Sequence, residues 1–193
     1  MCSSDLDRYY HATTTLRLLS QRKRCCEIML ILRPSVKLAQ RLKCRITESP
    51  HLPKQQRDSD SWSGDLFARR GAGSHALMMH DATLFSVLVP LDNIRSFEPF
   101  VIRFLARVAQ TWKRFGSSLD PTNQNLVVMK RTNRSIIGSM NEAKWLLEGD
   151  VIQSLEKHGS VDWTDIERQM NEVPYSALSY RRPVDALGTL LAS

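Results

Sequence analysis

The first half of the chain contains short apolar runs separated by turn residues, a pattern typical of β-strands joined by tight turns. An apolar run over residues 29–32 predicts a first strand, which Pro34 ends. Ser35 is placed to cap a short helix. That helix carries Val36, Ala39, Gln40 and Leu42.

Three further strand-like segments, residues 63–69, 75–80 and 83–89, predict a β-meander. Glycine-rich and Asp81–Ala82 turns separate them. The third segment is apolar on both faces, so we expect it to lie in the centre of the sheet. Residues 126–129 predict a fifth strand.

The rest of the chain shows helical spacing. Apolar positions three and four apart predict helices over residues 97–115 and after 132–135, with Ser135 as the N-cap of the second. Residues 162–173 and 183–191 predict two more helices. Strands and helices are therefore segregated, which favours an α+β fold: about five strands in a mainly antiparallel sheet packed against helices, with a helical C-terminal third.

The composition favours one α+β domain over residues 29–193, preceded by a poorly ordered N-terminal extension over residues 1–28 that shows no periodicity. The polar stretch 48–63 predicts a mobile loop. No apolar run approaches the roughly 18 residues that cross a bilayer, and no signal peptide is recognisable. We therefore expect a cytoplasmic protein with no membrane contact.

Known catalytic and cofactor motifs are missing from the sequence. The 4 cysteines and 5 histidines lack metal-ligand spacing, and no phosphate-loop, dinucleotide or zinc-protease motif occurs. His75 and His80 are an odd number of residues apart on one strand, which places them on opposite faces. We therefore predict no metal and no cofactor. Whether the protein is an enzyme, and through which catalytic residues, stays open.

Charge is distributed unevenly along the chain, whose net charge is +7. Residues 30–134 hold 17 Lys and Arg against 8 Asp and Glu, whereas residues 135–193 hold 5 against 9. This asymmetry suits either a nucleic-acid surface or mutual attraction between the parts of one domain. For the first interpretation, cations cluster at residues 33–45, and Arg103, Arg107 and Arg114 form one helical stripe that could follow phosphates; for the second, the stripe is a solvated helix face.

The segment TNRSIIGSMN is the best candidate for a small-ligand site. A strand that leads into a helix N-terminus leaves unpaired N–H groups, which can bind a phosphate or carboxylate. The same residues also allow a structural role, with caps from Asn and Ser, close packing at Gly138, and an ion pair from Arg134 to Glu142 or Asp185. The candidate ligand-binding residues are Asn133, Arg134, Ser135, Ser139 and Asn141.

The stretch LVVMKRTNRSIIGSMNEAKWLLE, together with NEVPYSALSYRRPVDALGTLL, resembles a bacterial family, domain of unknown function 6933. The distinctive core of that family, TNRSxxGSMN, is complete here over residues 132–141. The chain departs from the family at Ser63, which follows Trp62 where a histidine is common. The resemblance runs from Met29 to about Leu191. It implies that residues 1–28 are either an upstream extension or a misplaced start, and it implies no established activity.

Taken together, these features predict a non-enzymatic binding or accessory protein with a nucleic-acid or protein partner. The alternative is an enzyme that acts on a phosphate- or carboxylate-bearing small substrate at TNRSIIGSMN. The sequence does not indicate which oligomeric state the protein adopts.

Overall fold

A computed structural model describes residues 29–47, 61–117 and 125–192. The predicted N-terminal extension and residues 48–60 of the predicted loop lie outside these ranges. Ser61 and Trp62 belong to a strand, so the loop prediction was wrong there, whereas the predicted strand that begins at Ser63 is confirmed. The strands are β1 Met29–Pro34, β2 Ser61–Arg69, β3 Gly73–His80, β4 Ser86–Pro90 and β5 Asn125–Val128. The helices are α1 Val36–Leu42, α2 Phe97–Arg114, α3 Arg134–His158, α4 Trp163–Glu172 and α5 Pro183–Ala192.

The strands form one sheet in the order β4-β3-β2-β1-β5. β2, β3 and β4 make the predicted antiparallel meander, and β1 is parallel to both of its neighbours. The two antiparallel ladders contain more residue pairs than the two parallel ladders. The prediction of an α+β fold with a five-stranded, mainly antiparallel sheet is confirmed.

Helices cover both faces of the sheet, and successive strand residues point alternately into the two cores. On one face, Leu32, Trp62 and Met78 belong to the core that also includes residues of α1 and α2. Trp62 lies 5.2 Å from Phe104 of α2, measured between ring centroids. On the other face, the core includes β3 residues such as Leu77 together with residues of α3 and α4.

The two helices predicted from apolar stripes are confirmed. The α2 stripe is buried at Phe104, Leu105, Val108 and Trp112. In α3, Lys144 contacts Asp65 of β2, and Glu148 pairs with Arg69 at the end of the same strand. α3 therefore runs in the same direction as β2. The buried α3 stripe comprises Ile136, Met140, Ala143, Leu147 and Val151.

The prediction that residues 83–89 form a central strand was wrong, because β4 lies at the edge of the sheet. It is nevertheless buried, with Val87 and Val89 fully inside, since α2 and α4 both pack against it. An apolar segment covered by helices at the edge of a sheet has the same composition as a central strand.

Two side chains of α4 cover the open backbone edge of β4. The Asn171 amide accepts from Ser86 N–H at 2.7 Å and donates to Ser86 C=O at 2.8 Å, while Glu167 accepts from Leu88 N–H at 2.7 Å. These contacts satisfy the groups that a sixth strand would otherwise pair. A polar i, i+4 pair on the buried face of α4 therefore closes the sheet.

Candidate functional site

The signature segment TNRSIIGSMN occupies the start of α3, shortly after β5. Asn133, not Ser135 as predicted, is the N-cap: its side-chain oxygen accepts from the N–H groups of Ser135 and Ile136. Asn and Ser are about equally favourable as N-caps. Here the helix begins at Arg134, so the capping position falls on Asn133. Two amides expected to bind an anion are therefore already satisfied within the helix.

The five predicted ligand residues do not converge on one point. Asn133, Arg134, Ser135 and Asn141 are exposed, whereas Ser139 is buried. An α-helix turns by about 100° per residue, so Ser139 projects well away from the side that Arg134 and Asn141 share. The segment therefore presents an exposed polar stripe and a buried serine, not a cluster of donors.

The structural roles proposed for Gly138 and Arg134 were wrong in two respects. A side chain added at Gly138 would meet nothing within 4 Å among the described residues, so the local packing there does not require glycine. Of the two acidic partners suggested for Arg134, Asp185 pairs instead with Arg182, and Glu142 belongs to none of the ion pairs recorded among the described residues. Within the described ranges, the recorded ion pairs do not include Arg134.

The three arginines of the α2 stripe are engaged differently. Arg107 pairs with Glu167 of α4, with 2.6 Å between Nη2 and Oε2. Arg103 donates to the Pro90 carbonyl at 3.0 Å. Arg114 lines a groove between α2 and α4. Two of the three therefore face α4, and the stripe is not a continuous free surface.

Among the described residues, two ion pairs join a cation of the basic first part to a carboxylate of the acidic last part, Arg107–Glu167 and Arg69–Glu148, and a third, Lys144–Asp65, joins the two parts with the charges reversed. This arrangement agrees with the interpretation that part of the charge asymmetry reflects attraction within one domain. The cations that form no ion pair are therefore the ones available to contact a negatively charged partner.

A group of cations without ion pairs lies on α1 and on the segments beside the β5 edge of the sheet. The segment 43–47 reaches this edge, because Thr47 bridges Met129 and its N–H donates to Val128. Neither residues 29–47 nor residues 125–131 contain a carboxylate side chain. Five cations of these segments form what we call the basic surface: Lys37, Arg41, Lys43, Arg45 and Lys130. Within the described part of the chain, no recorded ion pair or hydrogen bond engages their side chains.

A set of buried polar groups lies on the α3 face of β1 and β2. The Arg33 guanidinium pairs with Asp81, whose side chain is 4% exposed. The hydroxyls of Ser61 and Ser63 and one Asp81 carboxylate oxygen have no hydrogen-bond partner among the described residues. Arg33 is paired in register with Ser63, so these groups lie close together.

Asp65 belongs to the same face and contacts two elements. It accepts from the Ser35 hydroxyl at 2.7 Å and from Lys144 Nζ at 3.1 Å. Burial raises the pKa of Asp65, but the hydrogen bonds from Ser35 and Lys144 outweigh burial and leave the pKa lowered. Asp65 is therefore ionised at neutral pH and ties α1 and α3 to β2.

His75 and His80 lie on opposite faces of β3, as predicted. His80 packs on Trp62 and Trp112, whereas the His75 ring lies 3.7 Å from that of Trp163 on the α4 side. Burial lowers the pKa of His75 to about 4 despite the opposing effect of Asp92. His75 is therefore neutral at pH 7, and it lines a cavity of about 220 Å³.

The chain matches a known protein family over most of its length. Residues 31–186 match the family described as Domain of unknown function (DUF6933), and this match covers well over half of the chain. The chain belongs to this family. No curated protein matches the sequence.

In this DUF6933 protein, the helices that the structure describes are all too short or too polar to cross a membrane. Groups of three or more His, Cys, Asp or Glu side chains arranged to hold a metal ion are not found in the described ranges.

Sequence reasoning missed the buried polar residues and the contacts that close the sheet edge. The sequence carries a signal for the buried polar residues, because Ser61, Ser63 and Asp65 alternate along β2 with residues that face the other core. It also carries a signal for the contacts at the sheet edge, because Glu167 and Asn171 each stand directly beside a core residue of α4.

Proposed function

We propose that this DUF6933 protein is a non-enzymatic binding protein that contacts the phosphate backbone of nucleic acid through the basic surface. The observation that carries the proposal is the position of its cations. They lie around α1 and the β5 edge, with no carboxylate in the segments that bear them. Backbone contacts of this kind need several free cations and no base-reading motif.

The α2 arginines are weaker candidates, although Arg103, Arg107 and Arg114 remain exposed or half-buried. Arg107 and Arg114 face the α4 carboxylates Asp165 and Glu172 across a groove. A polyanion in that groove would meet like charge on one wall. The basic surface has no such opposing wall in its own segments.

The alternative function, an enzyme acting on a phosphate- or carboxylate-bearing substrate at TNRSIIGSMN, has less support. Asn133 already occupies two amides at the start of α3, and Ser139 is buried away from Arg134. Capping by side chains is also the ordinary use of such a segment.

The test is fluorescence anisotropy with labelled single-stranded and duplex DNA. We expect micromolar binding that weakens by about 100-fold between about 50 and 200 mM KCl, as roughly four phosphate contacts would require. Exchanging Lys43 and Arg45 together for glutamate should weaken binding by about tenfold or more. Both positions follow α1 and are exposed, so the fold should tolerate the exchange.

The matched control exchanges Lys113 and Arg114 for glutamate, which changes net charge equally at the end of α2. This control should lose no more than about threefold in affinity. Equal losses in the two double variants would mean that net charge alone governs binding. That result, or no binding by the wild-type protein, would contradict the proposal.

A further inference from the structure

A groove between the second half of α2 and α4 encloses a cavity of about 400 Å³. Its apolar lining consists of Phe85 directly before β4, Phe115 directly after α2, and Val184 of α5. The Phe85 and Phe115 rings meet edge to face at 6.4 Å. This volume lies within the range of about 300 to 1,000 Å³ that small-molecule sites occupy.

The charged lining of the groove consists of three arginines and four carboxylates, and most of these groups have a partner. Arg107 pairs with Glu167, and Arg168 pairs with both Asp165 and Glu172. The Asp162 carboxylate accepts from two backbone amides at the start of α4. Arg114 is the one charged lining residue for which the described part of the chain provides no ion pair or hydrogen bond. Arg114 therefore offers an unpaired guanidinium beside the apolar lining, in a groove whose carboxylates outnumber its arginines by one.

These features define the ligand chemistry. One free guanidinium favours a single anionic group, which it can bind in bidentate fashion. The carboxylates on the α4 wall disfavour a second anionic group. Phe85, Phe115 and Val184 suit an aromatic or branched apolar body.

We propose that the groove binds a small carboxylic acid with an apolar body, with its carboxylate on Arg114. The site is separate from the basic surface, and it does not depend on nucleic-acid binding. It also differs from the anion site predicted at the start of α3, because no residue of TNRSIIGSMN lines it.

The experiment titrates the full-length protein with 4-phenylbutyrate and with its neutral amide, monitored by protein NMR. We expect saturable binding of the carboxylate at millimolar concentration or below, and about tenfold weaker binding of the amide. The variant Arg114→Gln should lose about tenfold in affinity for the carboxylate and keep its affinity for the amide.

The matched control is Lys113→Gln, which removes the neighbouring exposed cation that does not line the groove. It should leave both affinities unchanged. The proposal is overturned if the carboxylate shows no saturable binding up to about 10 mM. It is also overturned if Arg114→Gln and Lys113→Gln weaken carboxylate binding equally.

Discussion

Replacing Asn171 with leucine is expected to lower the free energy of unfolding by about 3 to 5 kcal/mol, because two buried backbone groups lose the side-chain partner that Asn171 provides. Asn171 both accepts from and donates to Ser86 at the edge of β4, and it is 3% exposed. Leucine fills a similar volume but has no polar atoms. The N–H and C=O of Ser86 would then stay buried and unpaired, at about 1 to 3 kcal/mol each.

Urea unfolding followed by circular dichroism measures this effect. The matched control is Gln169→Leu, two positions away on the exposed side of α4, where we expect a change within about 0.5 kcal/mol. A loss below about 1 kcal/mol in Asn171→Leu would show that the side chain does not close the sheet edge.

Replacing Arg33 with methionine is expected to lower the free energy of unfolding by about 3 to 5 kcal/mol, because it leaves the Asp81 carboxylate buried without its cation. Asp81 has an exposed side-chain fraction of 4%, and its other oxygen has no partner among the described residues. Methionine approximates the length of the arginine stem, so the lost charge dominates the effect.

The double variant Arg33→Met with Asp81→Leu separates charge from packing. Removing both charges should restore most of the lost stability, because a buried ion pair contributes little relative to apolar residues of similar size. Chemical denaturation of the wild type, the two single variants and the double variant gives the coupling free energy between the two side chains. Additive losses in the double variant would contradict a direct pairing of the two side chains.

The periodicity of the sequence was sufficient for the long helices and the meander. The stripes in α2 and α3 follow helical spacing over several turns, so few other structures could bury them. The position of β4 could not be obtained in this way. Its apolar residues indicate burial on both faces, and either neighbouring strands or covering helices produce that pattern.

The candidate sites were harder to predict because they depend on contacts between distant segments. Arg107 belongs to a helical stripe, but its partner Glu167 lies 60 residues later in the chain. Local pattern also could not decide between Asn133 and Ser135 as the N-cap, since both residue types are favoured there. Arg33 and Asp81 come together only because β1 inserts beside β2.

Two groups of cations within the described structure therefore have different roles. Arg69 of β2 pairs with Glu148 of α3, and Arg107 of α2 pairs with Glu167 of α4. The basic surface, in contrast, retains unpaired cations. The proposed binding of nucleic acid depends on the second group. We expect a polyanion to contact α1 and the β5 edge and to leave the α3 signature segment untouched.

The most direct test of this claim is an NMR titration of isotope-labelled protein with a short single-stranded DNA, which maps the bound surface residue by residue. We predict that the largest changes in amide chemical shift fall in residues 36–47 and 129–131. The largest changes in residues 133–141, or along the α2–α4 groove, would contradict the account.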